Sequence, residues 1–259
     1  MKGDFFMSNT RLRKSAGMKI KQVCMAAVFC ALAIASTYVM HIKVGFLTFD
    51  IKDAIVALAG LLFGPVYSAV ISLVVSTVEF VTIGDAGPYG FLMDFLSTAL
   101  FATACALVYK FMKNIWGAVI GLVSSVLVMT TFMVLFNLFI VPLYTPGYTT
   151  ADIAKMVPVF FLPFNLTKGM LNAAVVLILY KPVSMALKSA RVLPAGVLSE
   201  SAAQMTAKER RKKNLIFSLV VTAIGLVIVA VCLVVFFVFM DGKIEFFTKF
   251  KELAELFSK

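Results

Sequence analysis

Three polar side chains stand inside a stretch apolar enough to cross a bilayer: Asn165, Lys168 and Asn172 in FLPFNLTKGMLNAAVVLILY. Their i, i+3, i+7 spacing puts them on one face of a helix. A lysine at the centre of a membrane helix costs about 2.5–3.5 kcal/mol on insertion scales. Two arrangements avoid that cost. The face looks into a helix bundle or a wet cavity, or Lys168 snorkels along its own stem to the outer interface. The two amides weigh against snorkelling, because asparagine reaches too short a distance. An amide supplies one acceptor and two donors, and an ammonium three donors. The chemistry on offer is hydrogen-bonded capture of a polar ligand.

Other residues can join this face. Asn137, in LFNLFIVPLY, reads either as a helix–helix hydrogen bond or as a ligand contact beside Asn165 and Lys168. Pro142 and Tyr144 are expected to close that helix near the outer membrane face. In FLTFDIKDA, Asp50 and Asp53 either cap the next helix or belong to a lid in which Phe46, Leu47 and Phe49 cover a ligand. Glu79 and Asp94 are the remaining intramembrane acids, read as counter-ions for Lys168 or as ligand contacts. Ala27, Ala31 and Ala35 recur every fourth residue, with Ala33 nearby. Such a stripe lets another helix approach closely, inside the fold or from a separate membrane subunit.

Catalytic signatures are missing. No GxxxxGK[ST] loop supports ATP hydrolysis by this chain, and GDAGPYG is too short for a phosphate cradle. No Ser/His or Cys/His pair marks a nucleophile, and no carboxylate pair marks hydrolysis. The four cysteines lie in apolar runs without a CxxC, and the single histidine, His41, has no ligand neighbours. No metal, no disulfide and no catalytic residue is expected.

The elements that must position these groups are membrane helices. Of 259 residues, 61% are apolar and 14% charged, and mean hydropathy is +1.00. Soluble domains are nearer 45–50% apolar. The apolar runs are continuous, which excludes the alternation of a membrane β-barrel. The net charge of +11 belongs to loops flanking the spans rather than to nucleic-acid binding, since no basic stripe is interleaved with exposed aromatics. The expected fold is an all-α integral membrane protein in the lipid bilayer.

The spans are placed at about 20–41, 53–64, 66–83, 90–110, 115–140, 157–180 and 214–240. Gly64-Pro65 is expected to break the short second span from the third. Lysine and arginine number sixteen on one side and three, namely Lys43, Lys52 and Lys155, on the other. That asymmetry puts the N-terminus in the cytoplasm. The organisation is a cytoplasmic segment 1–19, a six-helix membrane domain 20–182, a basic cytoplasmic linker 183–213, a seventh span 214–240 and an amphipathic tail 241–259. With seven spans the C-terminus is expected outside. The tail KIEFFTKFKELAELFSK places its apolar residues at helical spacing, which fits a helix lying on a membrane or on a protein partner.

LTFDIKDAIVAL, FNLFIVPLYT and especially FLPFNLTKGM resemble the riboflavin-binding S components of energy-coupling-factor (ECF) vitamin transporters. The order matches as well: an acidic loop before a short helix, a GP break, Asn in span five and PFNxxKG in span six. The resemblance covers about residues 20–182. It implies a six-helix S-component bundle that works with a transmembrane coupling subunit and two cytoplasmic ATPases, and needs no cofactor, riboflavin being the transported ligand. It implies substrate contacts at Asn137, Asn165 and Lys168, a lid around Phe46, Leu47 and Asp50, and docking through Ala27, Ala31 and Ala35. Asp94 and Tyr144 complete the expected substrate-binding set.

The chemistry agrees. A flavin edge alternates carbonyl acceptors with an imide donor, complementary to asparagine and lysine side chains. Two features depart from the family pattern: the seventh span with its tail, and Asp94 in FLMDFL, where similar proteins are expected to carry Asn. An acid there implies altered preference around the ribityl chain, or against a phosphorylated ligand such as FMN. Rival readings are an S component for another vitamin or heterocycle, a membrane enzyme acting on lipid, and an assembly protein whose polar groups only hold helices together.

Overall fold

The computed structural model describes residues 2–189, except 41, 45–46, 84–86, 113–114, 145–146 and 148, together with 223, 227 and 230. Residues 2–19, 42–44, 115, 144, 188 and 189 are described by their backbone alone. Most of the linker, the seventh span and the tail lie outside the described residues, as do His41 and Phe46. Ala223, Val227 and Ala230, within the expected seventh span, are helical and exposed.

Helix α1 runs over Lys2–Val39, and its apolar part, Ile20–Val39, is the first span. A hairpin of β1 (Ile42–Val44) and β2 (Leu47–Phe49) follows, antiparallel, with Ile42 opposite Phe49. Then come α2 (Lys52–Phe63), α3 (Pro65–Thr82), α4 (Gly87–Phe111) and α5 (Ile115–Tyr144). A short α6 (Thr150–Met156), a π-helical turn (Val157–Phe161) and α7 (Leu162–Ser189) complete the domain. The only strands among the described residues are those of this hairpin, a small exception to the all-α expectation.

Among the described residues, five helices are long and apolar enough to cross a membrane: α1, α3, α4, α5 and the continuous α6–α7 segment. The chain is thus a multi-pass membrane protein. Helix α2 differs from them. Its 12 residues reach about 18 Å at 1.5 Å per residue, short of a hydrocarbon core of about 30 Å. It packs against α1, α3, α4 and α7, and most of its residues are buried. It is a central core helix, which explains why its sequence is apolar on nearly every side.

The Gly64-Pro65 break forms as expected. Gly64 takes φ +105, a conformation that disfavours side chains, and Pro65 opens α3, where its missing N–H is no loss. Close packing needs glycine elsewhere. A Cβ on Gly121 in α5 would lie 2.9 Å from the Cys105 carbonyl oxygen of α4.

Two expected boundaries differ. Helix α5 continues through Pro142 to Tyr144 rather than stopping near 140. Helix α7 continues through Pro182 to Ser189, so the first residues assigned to the linker are helical. The loop after α5 is also shorter than expected. Thr149 and Asp152 form a reciprocal capping box that starts α6 before the π turn. Pro163 sits at the second position of α7, just after the π turn that joins it to α6.

Candidate functional site

A continuous seam of buried polar groups runs from α7 through α2 to α4 and α3. At one end is Lys168, 5% exposed. Its Nζ donates to Asp50 Oδ2 at 3.0 Å and to the Thr48 carbonyl at 3.4 Å, and lies 3.5 Å from Asp53 Oδ2. Thr98 of α4 donates to Asp53 Oδ1 at 2.7 Å. At the other end is Lys52, 2% exposed. Its ammonium is bonded to Glu79 of α3 and lies 2.6 Å from Asp94 Oδ1 of α4. Ser76 donates to the second oxygen of Asp94 at 2.7 Å. Buried charges are tolerated only when paired and hydrogen-bonded in this way.

Asn172 holds the seam together. Its Oδ1 accepts from the Ala54 N–H at 2.9 Å, and its Nδ2 donates to the Asp50 carbonyl at 3.1 Å. The first turn of α2 lacks intrahelical acceptors of the usual kind; its Ala54 N–H reaches the Ile51 carbonyl at 3.2 Å, and Ile51 makes no side-chain cap. Asn172 supplies the missing cap from another helix. One amide therefore fixes both the start of α2 and the strand end that presents Asp50.

Several expectations are corrected by this geometry. Asp50 and Asp53 do not cap α2; they are ion partners of Lys168. Lys168 does not snorkel outward, because its Nζ turns to Asp50 inside the bundle. Glu79 and Asp94 are not the counter-ions of Lys168; they pair with Lys52. Lys52, counted as a loop charge, is a core residue.

The other predicted residues are placed as follows. Asn137 and Asn165 are both buried, so neither faces lipid. Each donates to the carbonyl one turn back in its own helix: Asn137 to Met133 at 2.7 Å, Asn165 to Phe161 at 2.8 Å. Among the described residues, none donates a hydrogen bond to Asn137 Oδ1. Leu47 and Phe49 of the hairpin pack on the apolar cluster of Val141, Ile153, Phe160, Phe161 and Phe164. The Phe49 and Phe164 rings meet edge to face at 5.7 Å. Tyr144 ends α5, and its side chain lies outside the described residues. No group of metal-binding type occurs among the described residues.

Sequence reasoning missed Lys52, and it missed the contacts that make Asn172 a clip. The signal for Lys52 was its place in IKDAIVALAGLL, at the first position of an apolar helix rather than in a solvated loop. On α1, Phe29, Ala33 and Thr37 face inward, while Ala27, Ala31 and Ala35 are exposed. The stripe is not used for packing within the described fold.

A family model described as ECF transporter, substrate-specific component, matches residues 21–180. This chain belongs to that family. The S component shares 30% identity over 149 residues with the riboflavin transporter RibU of Staphylococcus aureus (strain TCH60), covering 55% of this chain and 78% of the relative. With the riboflavin transporter FmnP of Bacillus subtilis (strain 168) it shares 24% over 169 residues, covering 61% of this chain and 89% of the relative. A solved structure of the S component of a bacterial ECF transporter superposes with TM-score 0.55 at 27% identity. That match spans 66% of this S component and 99% of the solved chain. The family consists of transporter components rather than enzymes.

Proposed function

We propose that this S component captures riboflavin, or a close flavin, at the outer membrane face for ATP-driven uptake. Energy would come from a transmembrane coupling subunit and two cytoplasmic ATPases, docked through the exposed face of Ala27, Ala31 and Ala35. The N-terminus is placed in the cytoplasm. Lys52 leaves the loop tally, being buried, and the asymmetry of basic residues persists without it.

One observation carries the ligand reading: the buried side chains of Asn137, Asn165 and Lys168 lie on the packed pair α5 and α7, shielded from lipid. An unpaired polar atom in such a place is costly. Asn137 Oδ1 lacks a donor, and a flavin imide N–H supplies one. The Nδ2 groups of Asn137 and Asn165 bond only carbonyls of their own helices, at 2.7 and 2.8 Å. Each amide has a second N–H left for a ring carbonyl. The hairpin, with Leu47 and Phe49 over the aromatic cluster, forms the apolar cover of the site. The two curated relatives named above support the choice of flavin.

Titration of the purified chain with riboflavin, followed by flavin fluorescence, tests the reading. Quenching that saturates at one equivalent is expected, with at least tenfold weaker binding in Lys168→Met. Unchanged fluorescence, with no yellow ligand carried through purification, refutes it.

A further inference from the structure

The carboxylates whose side chains are described, Asp50, Asp53, Glu79, Asp94 and Asp152, all lie toward one end of the bundle. Asp50 and Asp53 stand at the start of α2, Asp94 near the start of α4, Glu79 near the end of α3 and Asp152 ahead of α7. The other end, where α4 stops and α5 begins, holds no carboxylate among the described side chains and carries Lys21, Lys110 and Lys181. On the topology proposed above it is the cytoplasmic end. Lys110 is exposed, and no residue among those described pairs with it. Tyr109 and Tyr180 join α4 to α7 there, with hydroxyls 2.7 Å apart and rings edge to face at 6.1 Å. Lys110 and Lys181, the next residue on each helix, therefore stand at one level of the bundle.

Large apolar side chains flank these cations. Phe111, which ends α4, is 82% exposed, and Trp116, in the first turn of α5, is 68% exposed. The corner between them is tight. A Cβ on Gly117 would overlap the Met112 carbonyl, so the first turn of α5 rests directly on the chain leaving α4. The apolar part of α5, Trp116–Leu143, has 28 residues. They rise about 42 Å at 1.5 Å per residue, against a hydrocarbon core of about 30 Å. Trp116 thus reaches the headgroup layer, where an indole can keep its ring apolar and its N–H wet.

We propose that the α4–α5 corner is a binding site for the headgroup of an anionic phospholipid. Lys110 donates to the phosphodiester, Lys181 adds its charge at the same level, and Phe111 and Trp116 cover the upper part of the lipid chains. The phosphodiester brings acceptors and negative charge, the complement of an ammonium with three donors. A zwitterionic headgroup carries its own cation beside the phosphate and gains less. A protein partner fits the corner poorly, because lysine is depleted at the centre of protein interfaces. A lipid held there sets the depth of α4 and α5 in that leaflet.

Trp116 is the single tryptophan of the chain, so its fluorescence reports this corner alone. The full chain is placed in phosphatidylcholine nanodiscs that contain brominated phosphatidylglycerol or, at the same mole fraction, brominated phosphatidylcholine. Bromine quenches tryptophan only at close range. Brominated phosphatidylglycerol is expected to quench Trp116 at least threefold more strongly at low salt, and the difference shrinks at high salt. The double variant Lys110→Gln, Lys181→Gln abolishes the preference. Lys155→Gln, which removes one charge from the opposite end, leaves it in place. Equal quenching by the two lipids in the unaltered protein overturns the site and leaves the corner to a protein partner. A preference that survives the double variant, or that Lys155→Gln also removes, overturns it too, because the attraction then belongs to the net charge of +11 rather than to these residues.

Discussion

Asn172→Ala removes the amide that ties α7 to the start of α2. Two interhelical hydrogen bonds disappear: the Ala54 N–H at 2.9 Å and the Asp50 carbonyl at 3.1 Å. The Asp50 carbonyl is then left without its amide, while the Ala54 N–H keeps the Ile51 carbonyl at 3.2 Å. Leaving such a group unsatisfied costs about 1–3 kcal/mol, whereas interhelical bonds in a membrane bundle average about 0.6 kcal/mol each. The two scales bracket the loss between about 1 and 3 kcal/mol, and the burial of Asn172 places it toward the middle. A shift of 1 kcal/mol moves the melting temperature by about 2–4 °C for a domain of 150–250 residues. Thermal unfolding of the detergent-solubilised chain, followed by helical circular dichroism, should therefore drop by several degrees. Asn172→Asp should fall further, since it keeps the acceptor for Ala54 but loses the donor and adds a carboxylate beside Asp50. If Asn172→Ala melts within 1 °C of the unaltered protein, the amide is not a clip between α7 and α2.

Three further outcomes follow from the same geometry. Lys52→Met leaves the buried Glu79 and the partly exposed Asp94 without their cation, which costs up to about 3–5 kcal/mol; adding Glu79→Gln and Asp94→Asn should restore most of the lost melting temperature, and no recovery counts against the ion centre. Gly121→Ala puts a Cβ 2.9 Å from the Cys105 carbonyl, so α4 and α5 must separate, for about 1–3 kcal/mol of overpacking; an unchanged melting curve contradicts this close approach. Ala31→Trp on the exposed face of α1 should leave ligand binding by the isolated chain intact while abolishing uptake in cells that carry the coupling subunits, and normal uptake rules out docking through that face.

Local features were legible in the sequence wherever local physics decides them. Glycine followed by proline breaks a helix whatever surrounds it, and the break between α2 and α3 falls at Gly64-Pro65. The shared face of Asn165, Lys168 and Asn172 followed from helical spacing, and all three are buried. Pairing partners were not legible, because they depend on which helices meet. Lys52 reaches acids 27 and 42 residues away, and Asn172 reaches Ala54 across 118. Nothing in the chain near Glu79 or Asp94 distinguishes Lys168 from Lys52 as the partner. The hairpin was read as a lid loop, although Ile42, Val44, Leu47 and Phe49 alternate as strands do. The end of α5 was legible as well, since Pro142 and Tyr144 were expected to close it and the helix ends at Tyr144.

The outward alanines of α1 carry an entropic meaning. Alanine has no rotamers to freeze, so burying it takes almost nothing from side-chain entropy, while a long flexible residue gives up as much as about 2 kcal/mol. A helix lodging along Ala27, Ala31 and Ala35 thus meets a smooth rail rather than interlocking knobs. If a coupling subunit docks there as proposed, almost none of its binding energy is spent on freezing side chains of α1.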